Sequence, residues 1–195
     1  MISPGDAWTR YIRAMRIIAG KLKGRRLLAP QGIAIRPTSD RAREALFAIL
    51  GHGEPPLAGA AFLDLFCGTG AVGLEAYSRG AAEVVLIDND RQALKLAEAN
   101  IARLRAQNQV RLLARDATLL GPSPRAFDLA FLDPPYRSGL ATAALAGLAA
   151  SGWLAEGARI IVELAAKDEP VLPAGYALDR ERRYGSARFL FLRAA

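Results

Sequence analysis

The sequence has very few of the residues that form disulfides and most protein metal sites. Its 195 residues include one cysteine, Cys67, and one histidine, His52. A single cysteine cannot form an intramolecular disulfide, and this usage is typical of a reducing compartment, so we expect a cytoplasmic protein. His52 lies in a Gly-His-Gly linker without a second ligand candidate. We therefore predict that the protein binds no metal ion.

Long apolar segments are also missing. The longest apolar tract is alanine-rich, runs from about residue 140 to 150 and is interrupted by Gly147. It is too short to span a membrane and is predicted to be a buried helix. Residues 1–14 have no apolar core of the kind found in secretory signals. We therefore expect no membrane association, and we place residues 1–14 outside the fold.

The positive charge of the chain is concentrated near its N-terminus. The formal net charge is +7, and the segment from Arg10 to Arg43 contains ten basic residues against one acid, Asp40. Such a segment attracts a polyanion because phosphate neutralisation releases bound counterions. A solvated basic face that keeps the protein soluble is the alternative. The candidate RNA contacts are Arg16, Lys21, Lys23, Arg25, Arg26, Arg36, Arg41 and Arg43.

From Met15 onward, the order of apolar runs and turns predicts an α/β fold. Residues 15–30 indicate two short strands around a basic turn. A helix follows, with Thr38 or Ser39 as its cap, apolar residues at helical spacing from Ala42, and Gly51 at its end. After a proline-containing linker, short apolar strands alternate with helices. The predicted strands are 61–66, 83–88, 110–114, 127–133 and 159–164, and the predicted helices are 71–78, 91–105 and the alanine-rich tract.

This alternation is the pattern of a mostly parallel sheet covered by helices on both faces. Residues 176–182 and 187–192 flank Tyr184-Gly185-Ser186 and predict an antiparallel hairpin that closes one edge of the sheet. We expect three segments: an extension over 1–14, a basic hairpin and helix over 15–58, and the α/β domain over 59–195. Because 52% of the residues are hydrophobic, the chain can bury a core without a partner, and we expect a monomer.

A glycine-rich loop follows the first predicted strand of the α/β domain. The strand 62–66 runs directly into Cys67-Gly68-Thr69-Gly70, with Gly73 three residues later, so glycines stand where a backbone approaches a ligand closely. Asp88 ends the next strand, where an acid can hold ribose hydroxyls. A dinucleotide-binding dehydrogenase would have the same pattern.

Two further acids favour a different cofactor. Asp64 lies four residues before Gly68, where its carboxylate could face a cationic aminoacyl group, and a dinucleotide site has no use for it. Asp116 follows the third strand of the domain and could receive an adenine edge, because ligands of open α/β sheets bind at the carboxyl ends of the strands. Helix capping or a loop position is the structural alternative for each acid.

The most specific signal is Asp133-Pro134-Pro135-Tyr136, which follows the fourth strand. The exocyclic amine of a purine is a poor nucleophile because its lone pair is delocalised into the ring, so a catalyst must hold it by its hydrogens and aim it at an activated methyl group. The Asp133 carboxylate and the Pro134 carbonyl can accept those hydrogens. Tyr136 offers an aromatic face for an unstacked base. The motif therefore predicts methyl transfer to a base amine, with a rigid turn as the structural alternative.

The chain resembles the RsmD family of 16S ribosomal RNA guanine-N2 methyltransferases from Met15 onward. The resemblance rests on Met-Arg-Ile-Ile-Ala-Gly at 15–20, Arg-Pro-Thr-Ser-Asp-Arg-Ala-Arg-Glu at 36–44, the loop from Asp64 to Gly70, the Asp-Pro-Pro-Tyr motif and Gly-Trp-Leu at 152–154. It implies a class I, Rossmann-like methyltransferase domain and S-adenosylmethionine as the methyl donor. It also implies 16S rRNA, in a small-subunit particle or assembly intermediate, as the substrate.

The same resemblance assigns roles to individual residues. It implies catalysis by Asp133, Pro134 and Tyr136, and it implies cofactor binding by Asp64, Phe66, Gly68, Gly70, Asp88 and Asp116. The Asp-Pro-Pro-Tyr motif is shared with adenine-N6 methyltransferases of DNA, so it does not choose the base; the N-terminal hairpin and the Arg-Pro-Thr segment do.

Three other functions remain open on the sequence. An adenine-N6 methyltransferase would share the pocket, but it usually carries a dedicated domain that reads base edges, for which there is little room in this chain. A non-catalytic RNA-binding assembly factor would have no need for Asp133 beside a formed cofactor site. The dinucleotide-dependent dehydrogenase is the third. Stabilisation by each nucleotide would separate them.

Overall fold

The computed structural model describes residues 15–29, 40–136, 138–168, 171–185 and 187–195. A small two-stranded antiparallel sheet comes first, in which β1 (Met15–Arg16) pairs with β2 (Arg26–Leu27), and the helix α1 (Asp40–Leu50) follows it. The predicted cap of this helix, at residue 38 or 39, lies outside the described residues. Between β1 and β2 the chain makes the predicted basic turn.

The main sheet has seven strands in the order β5-β4-β3-β6-β7-β9-β8. The strands β3 to β7 are parallel to one another, and β9 and β8 are added antiparallel at the edge next to β7. Their bounds are β3 (Ala61–Leu65), β4 (Glu83–Asp88), β5 (Val110–Ala114), β6 (Phe127–Leu132), β7 (Leu154–Ala165), β8 (Tyr176–Tyr184) and β9 (Ala187–Ala194). Three further helices connect them, α2 (Ala71–Ser78), α3 (Arg91–Leu104) and α4 (Leu140–Ala150).

Helices cover both faces of the sheet, as the continuous apolar strands predict. On one face, α1, α2, α3 and the N-terminal hairpin share a single buried cluster with the sheet, in which Leu46, Leu74 and Leu104 are at most 3% exposed. On the other face, α4 packs with Leu145 and Leu148 beside the buried ring of Trp153. The class I methyltransferase architecture that the resemblance implied is therefore the observed fold, with its C-terminal antiparallel hairpin.

Polar side chains of α2 and α3 tie the N-terminal hairpin to the sheet domain. The buried carboxylate of Glu75 accepts the backbone N–H groups of Ile18 and Ala19 at 2.7 and 2.9 Å. Asn100 accepts the N–H of Leu28 at 2.7 Å, and its amide nitrogen donates to the carbonyl of Leu28 and to that of Thr69, each over 3.0 Å. The hairpin is thereby bonded to the glycine-rich loop through one side chain.

One strand differs from its predicted bounds by more than two residues. The prediction began this strand at residue 159, but β7 begins at Leu154. Gly157 has a φ of +69°, and the register with β6 shifts between Phe127 and Leu129, so an irregularity divides the strand into two paired parts. In the sequence, Glu156 and Gly157 separate Leu154 from the apolar run of the predicted strand. The first part of β7 was therefore not recognised. Within the described residues, no helix is long and apolar enough to cross a membrane.

Candidate active site

The strand order places a crevice between β3 and β6. The chain runs outward from β3 through β4 to β5 and then returns to the other side of β3 with β6, so the connections diverge at this point of the carboxyl edge. Open α/β sheets bind ligands at such a switch point. A cavity of about 610 Å³ opens there. Its walls include eight of the predicted site residues: Asp64, Phe66, Gly68, Asp88, Asp116, Asp133, Pro134 and Tyr136.

The glycine-rich loop turns sharply from β3 into α2. Phe66, Gly68 and Gly70 have φ values of +58°, +56° and +75°, which is the left-handed region that disfavours side chains other than glycine. A Cβ on Gly68 would meet no atom within 4 Å, so its backbone borders open space. Gly70, the ninth predicted residue, does not line the cavity: a Cβ there would lie 2.8 Å from the Leu86 side chain. Gly70 shapes the loop from behind.

Asp64 holds this loop against the end of β3. Its Oδ2 accepts a hydrogen bond from the backbone N–H of Gly73 over 2.8 Å. This N–H group in the first turn of α2 is therefore already used within the protein. Burial raises the pKa of Asp64 to about 7, opposed by the hydrogen bond from Gly73. An ionised Asp64 is therefore costly near neutral pH unless a cation approaches it.

Asp88 joins the glycine-rich loop to the start of α3. Its Oδ2 accepts the N–H of Gly68 at 2.8 Å, and its Oδ1 accepts the N–H of Asp90 at 2.9 Å. Asp90 caps α3 by accepting the N–H groups of Gln92 and Ala93. Each Asp88 oxygen retains acceptor capacity, which suits bonds to the two hydroxyls of a ribose.

Asp116 lies at the rim of the cavity, beyond the end of β5. Its Oδ1 accepts both the hydroxyl and the backbone N–H of Thr118, at 2.7 and 2.8 Å. The hydroxyl bond, followed by the backbone bond, lowers the pKa of Asp116 below its usual range, so the group is ionised at neutral pH. Because both bonds end on Oδ1, the second carboxylate oxygen of Asp116 is able to accept a hydrogen bond from the exocyclic amine of an adenine.

The Asp-Pro-Pro-Tyr motif forms the opposite wall of the crevice. The backbone N–H of Asp133 donates to the carbonyl of Leu65 over 3.4 Å, which anchors the motif to the end of β3. Pro134 is buried, whereas Asp133 and Tyr136 are half-buried and border the cavity. The Tyr136 hydroxyl donates to Oε1 of Glu163 in β7 over 3.5 Å.

The charge of the cavity distinguishes between the cofactors that the glycine pattern allows. Five aspartates line it, and among the described residues that line it there is no lysine or arginine. Such a wall attracts a sulfonium and an ammonium group and repels the pyrophosphate of a dinucleotide. In addition, Asp64 occupies the Gly73 N–H at the helix start where a pyrophosphate would bind. The geometry fits S-adenosylmethionine and disfavours the dehydrogenase interpretation.

Six of the eight predicted RNA contacts are exposed: Arg16, Lys21, Lys23, Arg25, Arg26 and Arg41. Arg36 lies outside the described residues. For Arg43 the prediction is wrong, because its side chain is 1% exposed and donates to the carbonyl of Arg16 and to Asp40 at 2.9 and 2.8 Å. Burial also lowers the pKa of Arg43. Its role is to tie α1 to the hairpin, not to contact a phosphate.

Cys67 packs inside the loop. Its side chain is buried, and burial raises the pKa of the thiol above its usual range, so the thiol is not an activated nucleophile. Over the part of the chain that the structure describes, no three His, Cys, Asp or Glu side chains converge as metal ligands would.

Several positions that line the cavity or support its wall were not predicted from the sequence. Thr69, Asn89, Asp90 and Gln92 also line the cavity, and of these the position of Asp90 before a helix was a recognisable capping signal. Glu75 and Asn100 gave no signal, because polar residues within a helical pattern resemble solvent-facing positions until the hairpin is placed over them.

Fold and site together define a class I methyltransferase. A family model called Conserved hypothetical protein 95 matches residues 15–193. Ribosomal RNA small subunit methyltransferase D of Escherichia coli K12 is 38% identical over 176 residues, which cover 90% of this chain and 87% of the relative. Its counterpart from Haemophilus influenzae is 34% identical, with coverage of 88% and 89%. The chain therefore belongs to this family, the RsmD family that the sequence resembles.

Solved structures agree with this assignment. The Escherichia coli protein yhhF superimposes with a TM-score of 0.81 at 37% identity, covering 93% of this chain and 98% of that one. Magnesium protoporphyrin IX methyltransferase from Synechocystis, solved with bound SAM, superimposes with a TM-score of 0.62 at 21% identity, covering 80% and 79%. At that identity the second comparison shows the shared fold.

Proposed function

We propose that this protein transfers a methyl group from S-adenosylmethionine to the exocyclic N2 amine of a guanine in 16S ribosomal RNA, within a small-subunit particle or an assembly intermediate. The observation that carries the proposal is that Asp133 and Pro134 line the same cavity as the acids Asp64, Asp88 and Asp116. The rRNA substrate is supported by the relatives named small-subunit methyltransferase D.

The cofactor would be held by residues at successive strand ends. Asp88 would accept the ribose hydroxyls, Asp116 the adenine amine, and Asp64 would face the ammonium group, with Phe66 and Gly68 forming the wall and Gly70 the turn behind it. When bound, S-adenosylmethionine supplies an electrophilic methyl group on a sulfonium centre. The acidic wall favours that positive charge and the neighbouring ammonium.

Asp133, Pro134 and Tyr136 would bind and orient the target amine. The two hydrogens of the amine are donated to the Asp133 carboxylate and the Pro134 carbonyl, which aims the nitrogen lone pair into the cavity. Positive charge grows on this nitrogen during transfer, so the negative charge of Asp133 stabilises the transition state more than the ground state. The Tyr136 ring would support the unstacked base.

The N-terminal segment would bind the RNA backbone. Residues 15–58 would form the RNA-contacting unit and residues 59–195 the catalytic domain, with residues 1–14 dispensable. The six exposed basic residues lie on or beside the hairpin that Asn100 connects to Thr69 of the cavity wall, so phosphate binding and methyl transfer would occur on adjoining surfaces.

The proposal is tested on small ribosomal subunits purified from cells that lack this protein. The subunits are incubated with the enzyme and S-adenosylmethionine, and the 16S rRNA is digested to nucleosides and analysed by mass spectrometry. We expect one new N2-methylguanosine per particle, and primer extension or fragment analysis then maps its position. N6-methyladenosine in its place would establish the adenine-specific alternative, and no methylated nucleoside with any assembly-stage particle would favour the non-catalytic assembly factor.

A further inference from the structure

The C-terminal hairpin turns at the same edge of the sheet as the catalytic motif. Ala165, the last residue of β7, is paired with Ala187 of β9, and Ala187 is paired with Tyr184 of β8. The connection between β8 and β9 therefore lies at the carboxyl edge, beyond β6 and β7 in the strand order. The N-terminal hairpin lies on the other side of the crevice, because it is bonded to α2 and α3, which follow β3 and β4.

One row of paired residues leads from the motif to an exposed arginine. Glu163 of β7, whose Oε1 accepts the Tyr136 hydroxyl, is opposite Phe189 of β9, and Phe189 is opposite Arg182 of β8. Paired residues share one face of a sheet, and two strand spacings of about 4.8 Å place Arg182 about 10 Å from Glu163. The nucleotides that flank a base at the motif can span this distance, because phosphates recur every few ångströms along a strand.

Two cations at this edge are exposed, Lys167 and Arg182, and neither forms an ion pair within the part of the chain that the structure describes. The guanidinium of Arg182 donates to the backbone carbonyl of Glu181 over 2.8 Å. Beside it, Arg183 and Arg188 share the carboxylate of Glu181, at 3.2 and 2.8 Å, so one acid serves two arginines. Positive charge therefore remains available here for an anionic partner.

The turn that carries Lys167 is fixed in place and borders the catalytic motif. Arg188 is buried, and its Nη1 donates to the backbone carbonyl of Asp168 over 2.8 Å, which holds the turn after β7 against β9. A groove of about 420 Å³ is lined by Lys167 and Asp168 together with Pro134 and Pro135. The same two prolines line the cofactor cavity, so the groove leads from the motif to Lys167.

We propose that Lys167, Arg182 and Arg183, called here the C-terminal basic edge, bind phosphates of the RNA strand that carries the target base. A base that enters the crevice keeps a phosphate on either side, so its strand leaves the crevice in two directions. The N-terminal hairpin binds the backbone in one direction and the C-terminal basic edge in the other. The inference rests on the proposed function, since it assumes an RNA substrate. A solvated basic surface and a contact with a ribosomal protein are the competing explanations.

The first experiment measures binding to small subunits from cells that lack this protein, over a series of salt concentrations. The double variant Lys167→Ala/Arg182→Ala removes the two cations without an ion pair. Its matched control, Lys95→Ala/Arg105→Ala, removes one lysine and one arginine on or directly after α3, which are also exposed and form no ion pair with a described residue. Affinity for S-adenosylhomocysteine and the melting temperature report on folding.

We expect the binding constant of Lys167→Ala/Arg182→Ala to depend less steeply on salt. The slope of its logarithm against that of the salt concentration should fall by about 1.5–2 units, since each lost phosphate contact removes about 0.7–0.9. Phosphate contacts are equally strong before and during methyl transfer, so the half-saturating subunit concentration should rise while the saturated rate stays almost unchanged. The control should match the wild type. Equal slopes for the two double variants would refute the inference.

The second experiment identifies what the C-terminal basic edge contacts. Because Cys67 is the one cysteine of the sequence and is buried, Arg182→Cys provides a single accessible thiol for a photoreactive label. We expect cross-links to 16S rRNA within a few nucleotides of the methylated guanine, and Arg105→Cys should give none there. Cross-links to ribosomal proteins alone, or to distant rRNA, would overturn the inference. Normal guanine methylation by the wild type would in that case leave the proposed function intact.

Discussion

The Oδ2 atom of Asp64 lies 2.8 Å from the backbone nitrogen of Gly73 and accepts its hydrogen bond. This bond joins the end of β3 to the first turn of α2 and encloses the loop from Phe66 to Gly70. A Cβ on Gly73 would come within 3.1 Å of the same carboxylate oxygen and 2.3 Å of the Leu86 side chain. The close approach of strand and helix therefore depends on a glycine at this position and on an acid opposite it.

Asp64→Asn should change how the stability of the protein depends on pH. The folded-state pKa of Asp64 is raised to about 7, so its protonated form favours the folded state at low pH, and this contribution is lost as the pH rises through 7. Asparagine stays neutral and keeps an acceptor for Gly73. The variant should gain on the order of 2–3 kcal/mol relative to the wild type between about pH 5 and pH 8. Urea unfolding at both pH values measures this, and a constant difference would contradict it.

Asp88→Ala should weaken cofactor binding. The substitution removes the proposed acceptors for the ribose hydroxyls and leaves the N–H groups of Gly68 and Asp90 without this partner. We expect a loss of about 1–3 kcal/mol in the affinity for S-adenosylhomocysteine by calorimetry. NAD should not raise the melting temperature of the wild-type protein. Equal affinities of wild type and variant would show that Asp88 does not bind the cofactor.

Asp133→Asn should bind the cofactor almost normally and transfer methyl groups very slowly. The amide keeps one acceptor oxygen but loses the charge and adds a donor beside the target amine. By analogy with other preorganised groups, we expect a loss of roughly a hundredfold to a thousandfold in the single-turnover rate. Asp133→Ala should be similarly impaired. A rate close to that of the wild type for Asp133→Asn would show that the carboxylate is not the catalytic acceptor.

Replacing Arg25 and Arg26 by alanine should weaken RNA binding and leave cofactor affinity unchanged. The logarithm of the binding constant should depend less steeply on the logarithm of the salt concentration, by about one unit of slope per lost phosphate contact. The matched control replaces Arg111 and Arg125, two exposed arginines that pair with Glu83 at the start of β4, at the edge of the sheet opposite the cavity. Equal slopes for the two double variants would indicate that the basic residues of the hairpin do not contact phosphates and form only a solvated basic surface.

Gly20→Ala should detach the N-terminal hairpin, and Gly24→Ala should not. Both glycines have a φ of +81°, so alanine pays a left-handed backbone cost of about 1–2 kcal/mol at either position. At Gly20, the new Cβ would also lie 2.0 Å from the carbonyl oxygen of Ser78, whereas at Gly24 it would meet nothing within 4 Å. Thermal unfolding should show a clearly larger loss for Gly20→Ala, together with weaker RNA binding. Equal losses would indicate that backbone strain alone matters.

The sequence predicted those elements best whose residue pattern is compatible with few alternative structures. The parallel strands and their helices were predicted to within two residues, except for β7, because continuous apolar runs ended by turns have few alternatives. The cavity walls followed from acids at strand ends next to a glycine-rich loop, because the topology of a parallel sheet brings strand ends together.

Long-range pairing of polar side chains could not be predicted in the same way. Glu75 contacts Ile18 across 57 residues, and Asn100 contacts Leu28 across 72, and no local pattern specifies either pair. Arg43 was indistinguishable from its basic neighbours, because its ion pair with Asp40 one helical turn earlier is compatible with an exposed side chain as well as with the buried one observed. Glu163 looked like an interruption of an apolar strand until the structure placed its Oε1 within 3.5 Å of the Tyr136 hydroxyl.

The bonds from Glu75, Ser78 and Asn100 hold the hairpin at a constant offset from the crevice. An enzyme built in this way can select its substrate by shape. A base can enter the crevice only if its distance from the phosphates bound at the hairpin matches the distance between the hairpin and the crevice. Under the proposed function, selection among many guanines would then depend on the folded shape of the RNA more than on the neighbouring bases. An RNA that has not reached the right shape would bind the hairpin through its backbone without placing a guanine in the crevice. Methylation would therefore take place only after the RNA had folded.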